Sequence, residues 1–136
     1  MPGGTNAFNN AGSFVKRGGT TSLTSFAAFN NTGNVAVESG VLQLAGGGTL
    51  SRDWALATGT SLRLASGTFL LDANSAVSGD GFIVLEGGTL ASAEDASLPN
   101  LSFTNGSIAG NGNLTLTKTF NWSAGTLGAG GDLVIG

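Results

Sequence analysis

The chain of 136 residues contains no His and no Cys. Histidine-based triads and His- or thiolate-bound zinc cannot be assembled from it alone, and there is no disulfide framework. Charge is scarce too. Only 10% of residues are charged, against roughly a quarter in average soluble domains. The net charge is −3, and Lys16, Arg17, Arg52, Arg63 and Lys118 are scattered, so no basic stripe exists for nucleic acid to follow. No run of about 18 apolar residues occurs, so no stretch reads as a membrane-inserting helix. The start, MPGGTNAFNN, lacks a basic segment followed by an apolar one and does not read as a signal peptide. If the protein is extracellular, the chain is expected to be a mature segment or fragment. Helix signals are nearly missing, because Gly or a β-branched residue interrupts almost every window. The Ala-rich stretch Leu90–Leu98 has room for one short turn.

What is present is glycine, 24 residues of it, among 40% apolar residues dispersed evenly between turn formers. That dispersion argues against a disordered linker. Apolar residues recur at period two in Val35/Val37, Leu42/Leu44, Leu62/Leu64, Phe69/Leu71, Phe82/Val84, Leu101/Phe103, Leu114/Leu116, Phe120/Trp122 and Leu133/Ile135. Each pair is flanked by Gly, Asn, Asp or Ser, which marks short strands separated by tight corners.

The pairs also recur at long range. Phe82/Val84, Leu101/Phe103 and Phe120/Trp122 step by 19, as do Leu114/Leu116 and Leu133/Ile135. Gly67, Gly88, Gly106 and Gly125 each precede Thr or Ser and then an apolar residue, at spacings of 21, 18 and 19. A repeat of roughly 20 residues holding two or three short strands marks a solenoid. The fixed framework of leucine-rich repeats does not overlay this chain. The reading is all-β: a single-stranded parallel β-helix, or β-solenoid, of about six to seven coils. Its strands should pair in register about 4.8 Å apart from coil to coil. It should occupy 1–136 as one domain, a segment of a longer solenoid. Three sides are expected.

FNNTGNVAVESGVLQL at 29–44 has an echo, FNNAGSFVK, at 8–16. The offset of 21 is one coil. Asn9, Asn10, Gly12, Asn30, Asn31 and Gly33 are expected at corners, where Gly and Asn reach positive φ most cheaply, with stacked Asn forming ladders between coils. Phe8 and Phe29 should stack on one wall. The competing reading gives the four Asn a ligand.

FNN-x-G followed by V-x-V-x-S-G-x-L-x-L-x-G-G-G, with GGTL, GNGNLTL and FNWSAGTLGAGG further on, resembles the β-solenoids of large bacterial secreted and cell-surface proteins, of the filamentous-haemagglutinin-like and autotransporter-passenger type. The resemblance runs from Phe8 to Gly136. It implies a right-handed parallel β-helix in an elongated, exported, multidomain protein, where such segments act as stalks, adhesive surfaces or carriers. It supplies no catalytic residues.

Other chemistries find little support. The acids Glu38, Asp53, Asp72, Asp80, Glu86, Glu94, Asp95 and Asp132 include no convincing one-coil pair with a basic partner, although Asp72, Glu86 and Glu94 are close enough in sequence to share a face. LGAGGDLVI is similar to one misaligned Ca²⁺-binding nonapeptide, too little for a structural Ca²⁺ site. GAGG lacks the helix and Lys of a phosphate loop. Thr115, Thr117 and Thr119 form a single T-x-T-x-T run, whereas an ice-binding face needs one such run per coil. Trp122 is expected in the core, in register with Phe103. Trp54, in the irregular SRDWAL, is the candidate surface ligand contact. The expectation is a non-enzymatic structural or adhesive module of a bacterial extracellular or surface protein, without catalytic residues, cofactor or metal. Its expected partners are flanking coils or domains, other copies stacked end to end, or a host or matrix glycan or protein. The alternatives are a carbohydrate-binding or polysaccharide-processing β-helix and a self-stacking filament subunit.

Overall fold

The computed structural model describes residues 7–18, 22–25, 27–128 and 133–135. Among them every regular element is a strand, and the strands wind as a parallel β-solenoid of about six turns. The first coil holds β1 (Ala7–Asn10), β2 (Ser13–Lys16) and β3 (Ser22–Ser25). The second holds β4 (Ala28–Asn31), β5 (Asn34–Val37) and β6 (Val41–Leu44), and the third β7 (Gly48–Leu50), β8 (Asp53–Leu56) and β9 (Ser61–Leu64). The fourth holds β10 (Thr68–Leu71), β11 (Ala76–Ser78) and β12 (Phe82–Leu85). Then the pattern changes. The fifth coil has β13 (Thr89–Ser92) and one long strand, β14 (Ala96–Phe103); the sixth has β15 (Ser107–Ala109) and β16 (Leu114–Trp122). The last strands are β17 (Thr126–Leu127) and β18 (Leu133–Ile135).

Three parallel sheets result, ordered β1-β4-β7-β10-β13-β15-β17, β2-β5-β8-β11, and β3-β6-β9-β12-β14-β16-β18. The second sheet stops at β11 because β14 and β16 run unbroken across the corner where second and third sheets would otherwise separate. Pro99 sits at that crossing, where the register of β14 on β16 shifts between Leu98 and Asn100. Leu98 faces Leu116 but Asn100 faces Thr119, so β16 carries one extra residue opposite a proline that has no N–H to donate.

Period two fixes the interior. Val35/Val37, Leu42/Leu44, Leu62/Leu64, Phe69/Leu71, Leu101/Phe103 and Leu114/Leu116 are all buried. Each enclosed side chain of this size stabilises the fold by about 1.5–3 kcal/mol relative to exposure. They stack in columns: Phe8, Phe29, Gly48, Phe69, Leu90, Ile108 and Leu127 are successive Cα partners along the first sheet. The Phe8 and Phe29 rings stack on the same wall, 4.9 Å apart and 13° from parallel.

Two expectations change here. In FIVL it is Ile83 and Leu85 that are buried, not Phe82 and Val84. All four residues are apolar, so period two has no preferred phase, and Ile83 rather than Phe82 is the partner of Leu101. The Ala-rich stretch forms strands β13 and β14 with a bend between them, not a helical turn.

The glycine spacing of 21, 18 and 19 is the coil repeat. Thr68, Thr89, Ser107 and Thr126 are successive Cα partners, and each preceding Gly has a φ between +71° and +104°. A Cβ on Gly88 would lie 2.2 Å from the carbonyl oxygen of Gly67, and one on Gly106 would lie 2.4 Å from that of Gly88. Those carbonyls accept hydrogen bonds from the amides of Thr89 and Ser107 on the next coil. Both the conformation and the close approach require glycine.

Candidate functional site

The FNN-x-G phrase forms the corner between the first and second sheets. Asn9 and Asn10 end β1, and Asn30 and Asn31 end β4, in register with them. The inner pair is a buried ladder. Asn10 Nδ2 donates to Asn31 Oδ1 (2.8 Å) and to the Asn34 carbonyl (3.0 Å). Asn31 Nδ2 donates to the carbonyls of Gly33 (3.0 Å) and Ser51 (2.7 Å), and Asn31 Oδ1 accepts from the Gly33 amide (3.2 Å). The outer pair repeats this at the surface, Asn30 Nδ2 donating to Asn9 Oδ1 (3.0 Å). Ladders between coils are therefore present.

The backbone reason given for these corners needs correction. The four Asn lie on strands, and neither Gly12 nor Gly33 has positive φ. Gly33 is required by crowding, since a Cβ there would sit 2.1 Å from the Gly12 carbonyl oxygen. Gly12 has open space around its Cα. The Asn side chains hold the turn by satisfying its carbonyls and amides.

Trp54, expected as a surface contact, is fully enclosed. It faces Val35 on one coil and Val77 on the other, and its ring centroid is 5.6 Å from that of Phe29. Its Nε1 donates to the Ser51 carbonyl (3.1 Å), which also accepts from Asn31. Trp54/Leu56 is itself a period-two pair, one coil after Val35/Val37, and that spacing is the available signal. The irregularity of SRDWAL lies earlier, at Arg52. It is the only non-glycine residue with positive φ (66°) among those described, and its left-handed turn leaves Arg52 and Asp53 outside while Trp54 enters the core.

Trp122 meets its expected partner but not its expected burial. It faces Phe103 with rings stacked 5.9 Å apart, yet is 52% exposed because no described strand covers that half of β16.

The acids are dispersed over corners. Asp72 and Glu94 do reach the same corner on neighbouring coils, but Asp72 Oδ1 accepts from Ser51 Oγ (3.1 Å) and the Asn74 amide (2.9 Å), while Glu94 Oε1 accepts from the Ala73 amide (3.5 Å). Glu86 lies on another side, beside Arg63 (3.8 Å). Asp95 Oδ1 caps the Asn113 amide (2.8 Å), and Glu38 pairs with Arg17 (3.3 Å). Among the described residues no three acids gather as metal ligands. Asp132 and most of the nonapeptide-like LGAGGDL fall outside the described residues. In LTLTKT, Thr115 faces Ser97 and Val134, and Thr119 faces Asn100, so the run is not repeated on its neighbours.

A further polar group goes unmarked in the sequence, because its members come from four coils. Lys118 Nζ bonds Asp80 Oδ1 (2.5 Å), Thr58 Oγ1 donates to Asp80 Oδ2 (3.5 Å), and Asn100 Nδ2 donates to the Asp80 carbonyl (3.2 Å). The hydrogen bond and charge of Lys118 hold the Asp80 carboxyl below its ordinary value of 3.8. This group braces the end of the second sheet against β14 and β16. Lys16 is a second such feature: it is buried, and its Nζ donates to the Ser39 carbonyl (3.0 Å).

No protein-family model, curated protein or solved structure matches the chain. Among the described residues, the side-chain bonds of Asn10, Asn31, Ser51, Asp72 and Asp95 lie at or beside corners of the solenoid, and those of Thr49 with Asn30 and Thr89 with Ser107 run between strands of the first sheet.

Proposed function

We propose that the chain is a non-enzymatic structural module, a rigid stalk, scaffold or adhesin segment within a bacterial extracellular or cell-surface protein. One observation carries this reading. Polar side chains at the corners are bonded from coil to coil, as in Asn10–Asn31, Asn9–Asn30 and Ser51–Asp72, so the polar chemistry runs along the axis and not into a cleft. Such a column transmits load through parallel ladders and keeps its ends apart. Catalysis, cofactor and metal have no role in it. Export to the cell surface is the part that rests on resemblance to haemagglutinin-like and autotransporter-passenger segments. Flanking coils or domains, and a host or matrix glycan or protein on an outer face, are the partners this role implies.

The chain has no native Cys, so dyes can be placed at Val15→Cys and Ser123→Cys and read by single-pair energy transfer. A rigid module gives one narrow distance, with an axial part of about 24 Å for the five coil steps between these positions, that persists up to the melting transition. A broad distribution, or turnover of a polysaccharide by the purified chain, would sink the reading. The adhesive part is tested separately on immobilised glycans and matrix proteins, where silence would leave a spacer alone.

A further inference from the structure

Ring closure of an Asn or Asp side chain onto the main chain needs the next backbone nitrogen to reach the side-chain carbonyl carbon. Glycine in the next position obstructs this least, because it has no Cβ. Three such steps occur among the described residues: Asp80–Gly81, Asn105–Gly106 and Asn111–Gly112. The fold separates them by what each glycine nitrogen is bonded to. The Gly81 N–H donates to the Leu56 carbonyl (3.0 Å) and the Gly112 N–H to the Ser92 carbonyl (2.8 Å), each on the preceding coil. Both glycines are buried. The Asp80 carboxylate is also engaged, by Lys118 and Thr58.

Asn105–Gly106 differs on each count. It forms the corner between β14 and β15, and Asn105 is exposed. The Gly106 N–H donates to Oδ1 of Asn105 itself (2.8 Å) and not to another coil. The nitrogen that would attack is therefore held beside the carbonyl it would attack, and no ladder bond has to break first. The corner is fixed from both sides all the same. The Asn105 N–H donates to the Leu85 carbonyl (3.2 Å) on the coil before, and the Gly106 carbonyl accepts from the Thr126 N–H (2.9 Å) on the coil after. Its exposure thus belongs to the corner and does not depend on what precedes or follows the chain.

We propose that Asn105 is a site of spontaneous deamidation in the folded chain, and that Asn111 is protected from it. The Gly106 nitrogen gives up its proton to hydroxide and attacks Cγ of Asn105. The N–Cγ bond forms, the Cγ–Nδ2 bond breaks, and the side-chain nitrogen leaves as ammonia. The product is a five-membered succinimide. Water then opens the ring. Attack at Cγ leaves Asp at 105, and attack at the main-chain carbonyl leaves isoaspartate, whose backbone runs through Cβ and Cγ. Either product makes the net charge of −3 one unit more negative. Isoaspartate also adds a main-chain atom to the corner that sets Ser107 opposite Thr89. This chemistry is independent of the structural role proposed above, since it needs only the corner.

The test is incubation of the 136-residue chain in mildly alkaline buffer made with ¹⁸O-water, followed by peptide mapping. The same incubation in denaturant is the control. In the folded chain Asn105 should convert to a mixture of Asp and isoaspartate carrying one ¹⁸O, faster as pH rises. Asn111 should lag by at least about fivefold, the factor that one net hydrogen bond supplies. In denaturant the Gly112 nitrogen is released, and the lag should shrink. Asn105→Gln, which cannot close a five-membered ring, should abolish the folded-state conversion, and Asn111→Gln should leave it unchanged. Both side chains are exposed, and matched circular dichroism confirms that the variants fold. A folded chain that keeps Asn105 intact while the denatured chain converts it overturns the proposal. So does a folded chain in which Asn111 keeps pace with Asn105. An equal lag in denaturant also overturns it, because the difference would then come from local sequence and not from the fold.

Discussion

The first four coils and the next two solve the same packing problem differently. In the former, each coil makes three strands, and the second, third and fourth turn a separate corner between the second and third sheets, at 38–40, 57–60 and 79–81. In the latter, β14 and β16 carry the chain straight through that corner. The length of a coil follows. Along the second sheet Val35, Trp54 and Val77 are successive partners, and the step from Trp54 to Val77 is visibly longer in sequence than the one before it. Ala96, Leu114 and Leu133 are successive partners on the through-running strands, and their two steps are nearly equal. Corner loops tolerate insertion at little cost. A through-running strand takes an extra residue only as a bulge that interrupts the ladder, as β16 does opposite Pro99. The variable half and the uniform half of the repeat are thus one geometry with and without a loop.

The largest test of that contrast uses the two tryptophans. Trp54 is enclosed in the three-stranded half, and Trp122 is half-exposed at the far end of the through-running half. Trp54→Ala should cost about 3–5 kcal/mol, the range for emptying an aromatic core site, read by chemical denaturation. Trp122→Ala should cost about 1 kcal/mol or less, as for a site lacking full enclosure. Fluorescence separates them without unfolding: the emission surviving in Trp122→Ala should be the blue-shifted one. Equal losses in the two variants would mean that the end of β16 is covered in solution.

A smaller loss is expected from the buried amide ladder, which belongs to the early half. Asn31→Ala removes the donor to the Ser51 and Gly33 carbonyls and the acceptor for Asn10. Leaving buried polar groups unmet costs about 1–3 kcal/mol. Hydrogen exchange should localise the damage to the amides of Gly33 and Asn34 and leave those of β14 and β16 protected. Uniform deprotection would instead make the solenoid a single cooperative unit.

The halves also differ in how plainly their sequences declare them. The parallel fold is legible because glycines at 67, 88, 106 and 125 cannot be exchanged for anything else, and so print the coil length directly. The Phe8–Phe29 register is legible for a similar reason, because a whole phrase repeats. The phase of FIVL is not, since four apolar residues fit both faces and only the shortened step to Leu101 decides between them. Trp54 misleads because a left-handed Arg52 looks, in sequence, like the end of regularity, while the strand resumes one residue later. The Asp80 cluster is invisible: Asp80 and Lys118 are 38 residues apart, two coils, and no single-period comparison aligns them.

Arg52 offers a gain in place of a loss. A side-chain-bearing residue in the left-handed region costs about 1–2 kcal/mol relative to its relaxed state. Arg52 is exposed and its hydrogen bonds are backbone ones, its amide donating to the Asn74 carbonyl and its own carbonyl accepting from Ala76. Arg52→Gly keeps both and removes the strain, while adding freedom to the unfolded chain. A net stabilisation of up to about 1 kcal/mol is expected, with a higher melting temperature. A destabilised variant would show that the guanidinium makes contacts that stabilise the corner.

The smallest effect lies at the seam between the halves, where Lys118 of β16 reaches Asp80 beyond the end of β11. The Asp80 carboxyl is held below its ordinary value, first by the Lys118 hydrogen bond and then by its charge. A depressed folded-state pKa means the interaction stabilises above the unfolded carboxylate range and is lost as pH falls through the folded value. Asp80→Asn should therefore be slightly less stable than the wild type at neutral pH and equal to it in strong acid. Added salt should shrink the neutral-pH difference, because both groups are solvated. Wild type and variant melting together at every pH would mean that the Asn100 side-chain bond to the Asp80 carbonyl and the β10–β13 and β12–β14 ladders, all left intact by the substitution, join the two halves without the ion pair.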